Sequence, residues 1–132
     1  QARAALEGAS VQLASSRITP AAMENLRATL DAMRHEIDAG RKPLDQDRQF
    51  HVIIAEQSGN GVLARLVENL FDERHSPISA QFRVKFEDKN TWIFALKEHE
   101  AILAALEARD PLLAQAAMHL HLDSSRRRWV EN

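Results

Sequence analysis

Five apolar residues between Pro20 and Ala39 limit this chain more than any other feature. Met23, Leu26, Leu30, Met33 and Ile37 recur at spacings of three and four. That period places them on one stripe of an α-helix and leaves the rest of the helix to solvent. Thr19-Pro20 starts the segment with a hydroxyl N-cap and a proline in the first turn, and Gly40 is placed to stop it. A helix with one apolar stripe needs other helices to cover it. The rest of the chain offers them.

A first helix is expected from Arg3 to about Ser15, with Leu6, Ala9, Val11, Leu13 and Ala14 as its apolar positions. Ser15-Ser16-Arg17-Ile18 is expected to break it. The third helix should span Leu44 to Ser58, burying Phe50, Ile53 and Ile54 and ending at Ser58-Gly59-Asn60-Gly61. Asn60 then caps a fourth helix carrying Val62, Leu63, Leu66, Val67, Leu70 and Phe71. Pro77 kinks or ends that helix. Phe82, Val84 and Phe86 hint at a short strand that has no partner, and Glu87-Asp88-Lys89-Asn90 reads as a polar loop. A fifth helix follows from Thr91 to Ala108. The last runs from Pro111 to about Trp129, with Leu112, Leu113, Ala116, Leu120 and Leu122 apolar. Period-2 alternation is scarce, and only four glycines and four prolines occur. Residues 1–132 are therefore read as one all-α domain, an antiparallel bundle of helices joined by short connections.

Composition closes several routes to function. A formal net charge of −2 supplies no electrostatic footprint for nucleic acid. Cysteine is absent, which excludes disulfides, zinc ribbons and thiol catalysis and fits a cytoplasmic protein. No apolar run reaches the roughly 18 residues of a membrane span, and nothing at the start resembles a signal peptide. The chain opens at Gln1 already inside a helical pattern, so it is expected to be part of a longer polypeptide.

The chemistry concentrates in six histidines. His51 lies four residues after Asp47, so both stack on one helix face, one turn apart. His99 precedes Ala101-Ile102-Leu103 by two positions on a core helix, after Glu98. His121 lies between Leu120 and Leu122. A buried imidazole is costly unless it is hydrogen-bonded or ligated. Three such placements on three core helices favour one shared polar centre, with the donor types that a divalent transition metal takes. The ordinary alternatives are a surface ion pair for Asp47 and His51 and satisfied core residues for the others. His35 is read as solvated, His75 is open, and His119 points to a different side of its helix from His121.

These residues, in this order, resemble the C-terminal effector-binding domain of the FadR subfamily of GntR transcriptional regulators, called the FCD domain. The matching stretches are Arg3-x-x-Leu6-Glu7, Asp47-x-x-Phe50-His51 and Ser58-Gly59-Asn60. They continue with Glu98-His99-x-x-Ile102-Leu103-x-Ala105-Leu106, Asp110 and Ala117-Met118-x-x-His121-Leu122, and so cover nearly the whole chain. The resemblance implies a bundle of about six or seven helices. It implies that Asp47, His51, His99 and His121 bind a divalent metal, zinc or nickel foremost, beside which a small organic acid sits. It also implies a homodimer and an upstream winged helix-turn-helix domain, absent from this chain, through which DNA is bound. Arg3 matches the family's first-helix arginine and is the first candidate to clamp an acid effector, with Arg74 the second. The stretch from Arg74 to Trp92 resembles regulators of sugar-acid use, such as hexuronate or gluconate. One branch of the family binds fatty acyl-CoA without metal, and the complete Asp/His/His/His set here points away from that branch.

Two other function classes compete with a sensor. A metal-dependent enzyme needs a general acid or base beside a metal-bound water. Glu100 points about 100° away from His99 on a helix, and Leu103 stands where a zinc-protease motif requires its second histidine. There is no His-Asp dipeptide and no paired Glu-x-x-His motif. The chain is therefore read as a non-enzyme. The other competitor is a metal-free dimerisation bundle, in which replacing His99 or His121 by leucine would be neutral or stabilising.

Overall fold

The computed structural model describes residues 2–74, 77–78 and 88–131. Among them the architecture is all-α, with α1 (Ala2–Arg17), α2 (Pro20–Asp38), α3 (Leu44–Glu56), α4 (Gly61–Arg74), α5 (Lys89–Glu107) and α6 (Pro111–Glu131). The strand reading at Phe82, Val84 and Phe86 lies outside the described residues.

Local chemistry sets most helix ends as the sequence implies. Thr19 accepts from the Ala22 N–H at 3.1 Å. Asn60 Oδ1 accepts from the Val62 and Leu63 N–H groups at 3.0 and 3.1 Å. Gly40 follows α2 at φ +79° and Gly59 follows α3 at φ +75°, the left-handed conformation that costs glycine least. Two boundaries differ from expectation. Ser15-Ser16 does not break α1, because each hydroxyl folds back onto a carbonyl of the preceding turn, Gln12 O at 2.7 Å and Leu13 O at 3.3 Å. Asp88 is not loop but the N-cap of α5. It forms a capping box with Thr91, and Lys89 and Asn90 are already helical.

α1 is the hub. It packs against α3, α4, α5 and α6, whereas α2 packs against α3 and α5. A helix touched from so many sides buries much of its surface and leaves one side, with Ala5, Gln12, Leu13 and Ser16, to solvent. In α1 the buried set is Glu7, Gly8, Ser10, Val11, Ala14 and Ser15. Small residues let the neighbours close in. A Cβ added at Gly8 would lie 2.3 Å from the His119 ring of α6. His119 Nε2 donates to the Ala4 carbonyl across the same crossing at 3.2 Å. His119 thus points away from the His121 side, as the spacing requires, and His35 is exposed.

The α2 stripe sinks completely: Met23, Leu26, Leu30, Met33 and Ile37 join Phe50, Ile54, Trp92, Ile102, Leu106 and Met118 in one core. Each such large apolar side chain contributes about 1.5–3 kcal/mol on burial. In α6 the expected apolar face is displaced. Leu112, Leu113 and Leu120 are exposed, and Ala114, Met118, His121 and Leu122 face inward. The α1–α2 junction ties one end of the bundle. The Thr19 N–H donates to Gln57 Oε1 at 3.1 Å, and Arg109 Nη2 donates to the Ile18 carbonyl at 3.0 Å.

Candidate metal centre

Inside this apolar core sits a compact polar cluster. α3 supplies Asp47 and His51 from one face, α5 supplies His99 and α6 supplies His121. All four are buried, with His99 fully inaccessible. Their arrangement follows from the helix periods. Asp47 and His51 share a face with Phe50 and Ile54 beside them. His99 sits three and four residues from Leu96, Ala95 and Ile102 on the core stripe of α5. His121 continues the inward row of Ala114 and Met118.

The Nε2 atoms converge. His99 Nε2 lies 3.2 Å from His51 Nε2 and 3.1 Å from His121 Nε2. Asp47 Oδ1 lies 3.4 Å from His99 Nε2 and 3.7 Å from His51 Nε2. Nitrogen lone pairs at such separations repel unless a proton or a cation lies between them. One His99 proton can serve only one of its two neighbours at a time. An ion held by bonds of about 2.1 Å needs neighbouring donor atoms roughly 3.0–3.4 Å apart. His99 stands at that spacing from His51, His121 and Asp47, and Asp47 lies slightly farther from His51, so three imidazoles with a carboxylate beside them make a donor set that fits a divalent metal. Among the described residues, these three histidines form the group whose ligand atoms lie close enough together to share an ion.

Burial favours the neutral form of His99 and His121, the form that binds metals. Burial, reinforced by the neighbouring His121 and His51, pushes the His99 imidazole well below the ordinary histidine range. Burial also lowers His121, against the opposing pull of Glu98. Rings wall the cluster: Phe50 stacks on His99 at 4.5 Å and Phe71 on His51 at 4.8 Å.

Behind the four lie acidic residues to which the sequence reading assigned no role. Glu7 of α1 is buried and accepts from His51 Nδ1–H on one side and from Arg3 Nε at 2.5 Å on the other. Burial opposes its ionisation, but His51 and Arg3 outweigh it and hold the carboxyl at about 2. Glu98, half-buried, accepts from His121 Nδ1–H at 2.6 Å and from both Nη atoms of Arg128 at 2.9 Å. The sequence carried one signal for each: Glu7 stands four residues after Arg3 in the matched first-helix stretch, and Glu98 immediately precedes His99. The structure thus gives Arg3 to Glu7 and stacks its guanidinium 4.5 Å from the Phe71 ring centre. The side chains of Arg74 and His75 lie outside the described residues. Asn60 caps α4.

The FCD domain family model matches residues 1–124. The chain belongs to the FCD domain family. This FCD domain is 29% identical to the Uxu operon transcriptional regulator of Escherichia coli strain K12 over 137 aligned positions, covering 99% of the chain and 52% of the relative. Among solved structures it resembles Streptococcus agalactiae GntR, at 25% identity and a TM-score of 0.77, covering 95% of this chain and 54% of that one. It shares its fold with Escherichia coli McbR/YncC, at 18% identity and a TM-score of 0.85, covering 98% of this chain and 61% of that one. The chain spans about half the length of the curated relatives it matches. Those relatives are named transcriptional regulators, in keeping with a regulatory rather than an enzymatic reading. No helix among the described residues is long and apolar enough to cross a membrane.

Proposed function

We propose that this FCD domain is the sensor half of a cytoplasmic, dimeric bacterial transcriptional regulator of GntR type. In this reading Asp47, His51, His99 and His121 hold one divalent metal, zinc or nickel. A small organic acid binds beside it and changes the DNA affinity of an upstream winged helix-turn-helix domain. The observation that carries the reading is the convergence of three imidazole Nε2 atoms and the Asp47 carboxylate inside an apolar core.

A divalent ion there supplies a Lewis-acid seat for an anionic oxygen ligand. One carboxylate and three neutral imidazoles leave that ion a net charge of about +1 in a low-dielectric surrounding. A carboxylate effector offsets the charge, and a hydroxyl next to it, as in sugar acids, adds a second donor for a metal that prefers six ligands. Arg74, and Arg3 through the guanidinium donors that Glu7 does not take, are the arginines proposed to face the acid. Regulation further requires that the acid favour one arrangement of the dimer over the other, since a ligand shifts an equilibrium only by its differential affinity.

Elemental analysis of protein purified without chelator or histidine tag tests the reading. The expected result is about one equivalent of zinc, nickel or a similar ion, lost in His99→Ala. A panel of small carboxylates, sugar acids included, is then expected to raise Tm in the metal-loaded protein only. Metal-free wild-type protein that still responds to acids would overturn the metal-dependent sensor.

A further inference from the structure

The three histidines look alike in sequence but are held differently at their outer nitrogens. His51 Nδ1 faces Glu7 and His121 Nδ1 faces Glu98. Among the described residues, His99 Nδ1 faces the Met33 thioether, at 3.4 Å. Each carboxylate is gripped from its other side by an arginine, Arg3 on Glu7 and Arg128 on Glu98. Two Arg–Glu–His chains therefore run from the periphery of the bundle to the cluster, one through α1 and α3, the other through α6 and α5.

We propose that Glu7 and Glu98 are the positioning residues of the metal centre. Each holds one imidazole as its Nδ1–H form and turns that ring's Nε2 lone pair toward the ion. The inference rests on the metal-sensor reading above and names what tunes the same site. An ionised carboxylate is an acceptor only, so it admits just one orientation and one tautomer of its histidine. The arginines complete the device. Each Arg–Glu pair sums to zero charge, so the carboxylates orient the ligands without cancelling the positive charge that draws an acid. A carboxylate occupied by a guanidinium is also kept from competing for the metal. His99, with a weak sulfur acceptor and Phe50 stacked on its face, is oriented by packing instead.

The test compares the whole chain with its Glu7→Gln and Glu98→Gln variants, with Arg48→Ala as a surface control. Zinc affinity is measured by competition with a chromophoric chelator. The histidine tautomers of the zinc-free proteins are read by long-range 1H–15N correlation NMR. Each glutamine variant is expected to bind zinc about 10–100-fold more weakly. His51 should lose its pure Nδ1–H signature in Glu7→Gln, and His121 in Glu98→Gln, with His99 unchanged in both. A merely structural role would lower melting temperature but leave affinity and tautomers as in wild type. Undiminished zinc affinity in both variants overturns the inference and leaves the metal centre standing. So does an Nε2–H signature at His51 and His121 in zinc-free wild type. Failure of the wild type to bind zinc, nickel or a similar ion overturns the metal-sensor reading itself. Should Glu7→Gln not fold, Glu98→Gln at the half-buried site carries the same comparison.

Discussion

Two carboxylate–arginine assemblies of the same chemistry sit in opposite surroundings. On the surface, Arg48 bridges Asp72 at 2.8 Å and Glu68 at 3.1 Å, linking α3 to α4 in water. In the core, Glu7 links Arg3 to His51, and its side chain is only 2% exposed. The surface pairs gain little, because water screens them and long side chains must be ordered. Glu7 is different. Its charge has been removed from water, and the loss is tolerable only because two partners meet it. A buried charge is therefore poor evidence of stabilisation and better evidence of a role, whereas the surface network needs none.

That contrast can be broken by measurement. Glu7→Ala leaves Arg3 and His51 without their acceptor and is expected to destabilise the metal-free protein by about 3–5 kcal/mol in denaturant unfolding. A loss below 1 kcal/mol would mean that the core assembly is no costlier to break than a surface one. His99→Leu is expected to leave the metal-free protein unchanged or more stable by about 1–4 kcal/mol, since an apolar residue replaces a buried polar one. It should also abolish the stabilisation by added zinc. Stabilisation by zinc that survives the change would instead make His99 a core residue and not a ligand.

Acid should expose the polar centre next. His99 and His121 titrate below the ordinary 6.5 in the folded chain, so the unfolded chain takes up their protons first. Stability is complete above pH 6.5 and declines as pH falls. Glu7, held at about 2 against an ordinary 4.5, extends the decline between those values. Melting temperature against pH in chelator checks this. A curve flat from pH 7 to pH 4 contradicts it, and Glu7→Gln should lose the lower part. Arg48→Ala should cost least, below about 1 kcal/mol, and that little should vanish in high salt. A larger, salt-resistant loss would erase the contrast between the two regions.

Much of this was legible in the chain, unevenly. The four candidate ligands could be named, because each stands at a fixed offset from apolar neighbours on its own helix. Glu7 could not be given a role. In sequence it is one acidic residue among many, four from an arginine, which reads as an exposed helix pair. The leucines of α6 misled in the opposite direction. Leu112, Leu113 and Leu120 look like core and are exposed, because in a helix this rich in alanine several faces can pass for the buried one.

What the sequence by itself determined is local. Helix existence, the caps at Thr19 and Asn60, the stops at Gly40 and Gly59, and the buried stripe of α2 all follow from interactions within four residues of one another. Which faces meet was decided only by the tertiary structure. α1 became the hub because its glycine, serines and alanines let neighbouring helices come close. Only that approach brings Glu7 from one helix to His51 of another, 44 positions away. The cost of burying a charge is set by all the surroundings at once, and no spacing along the chain encodes it.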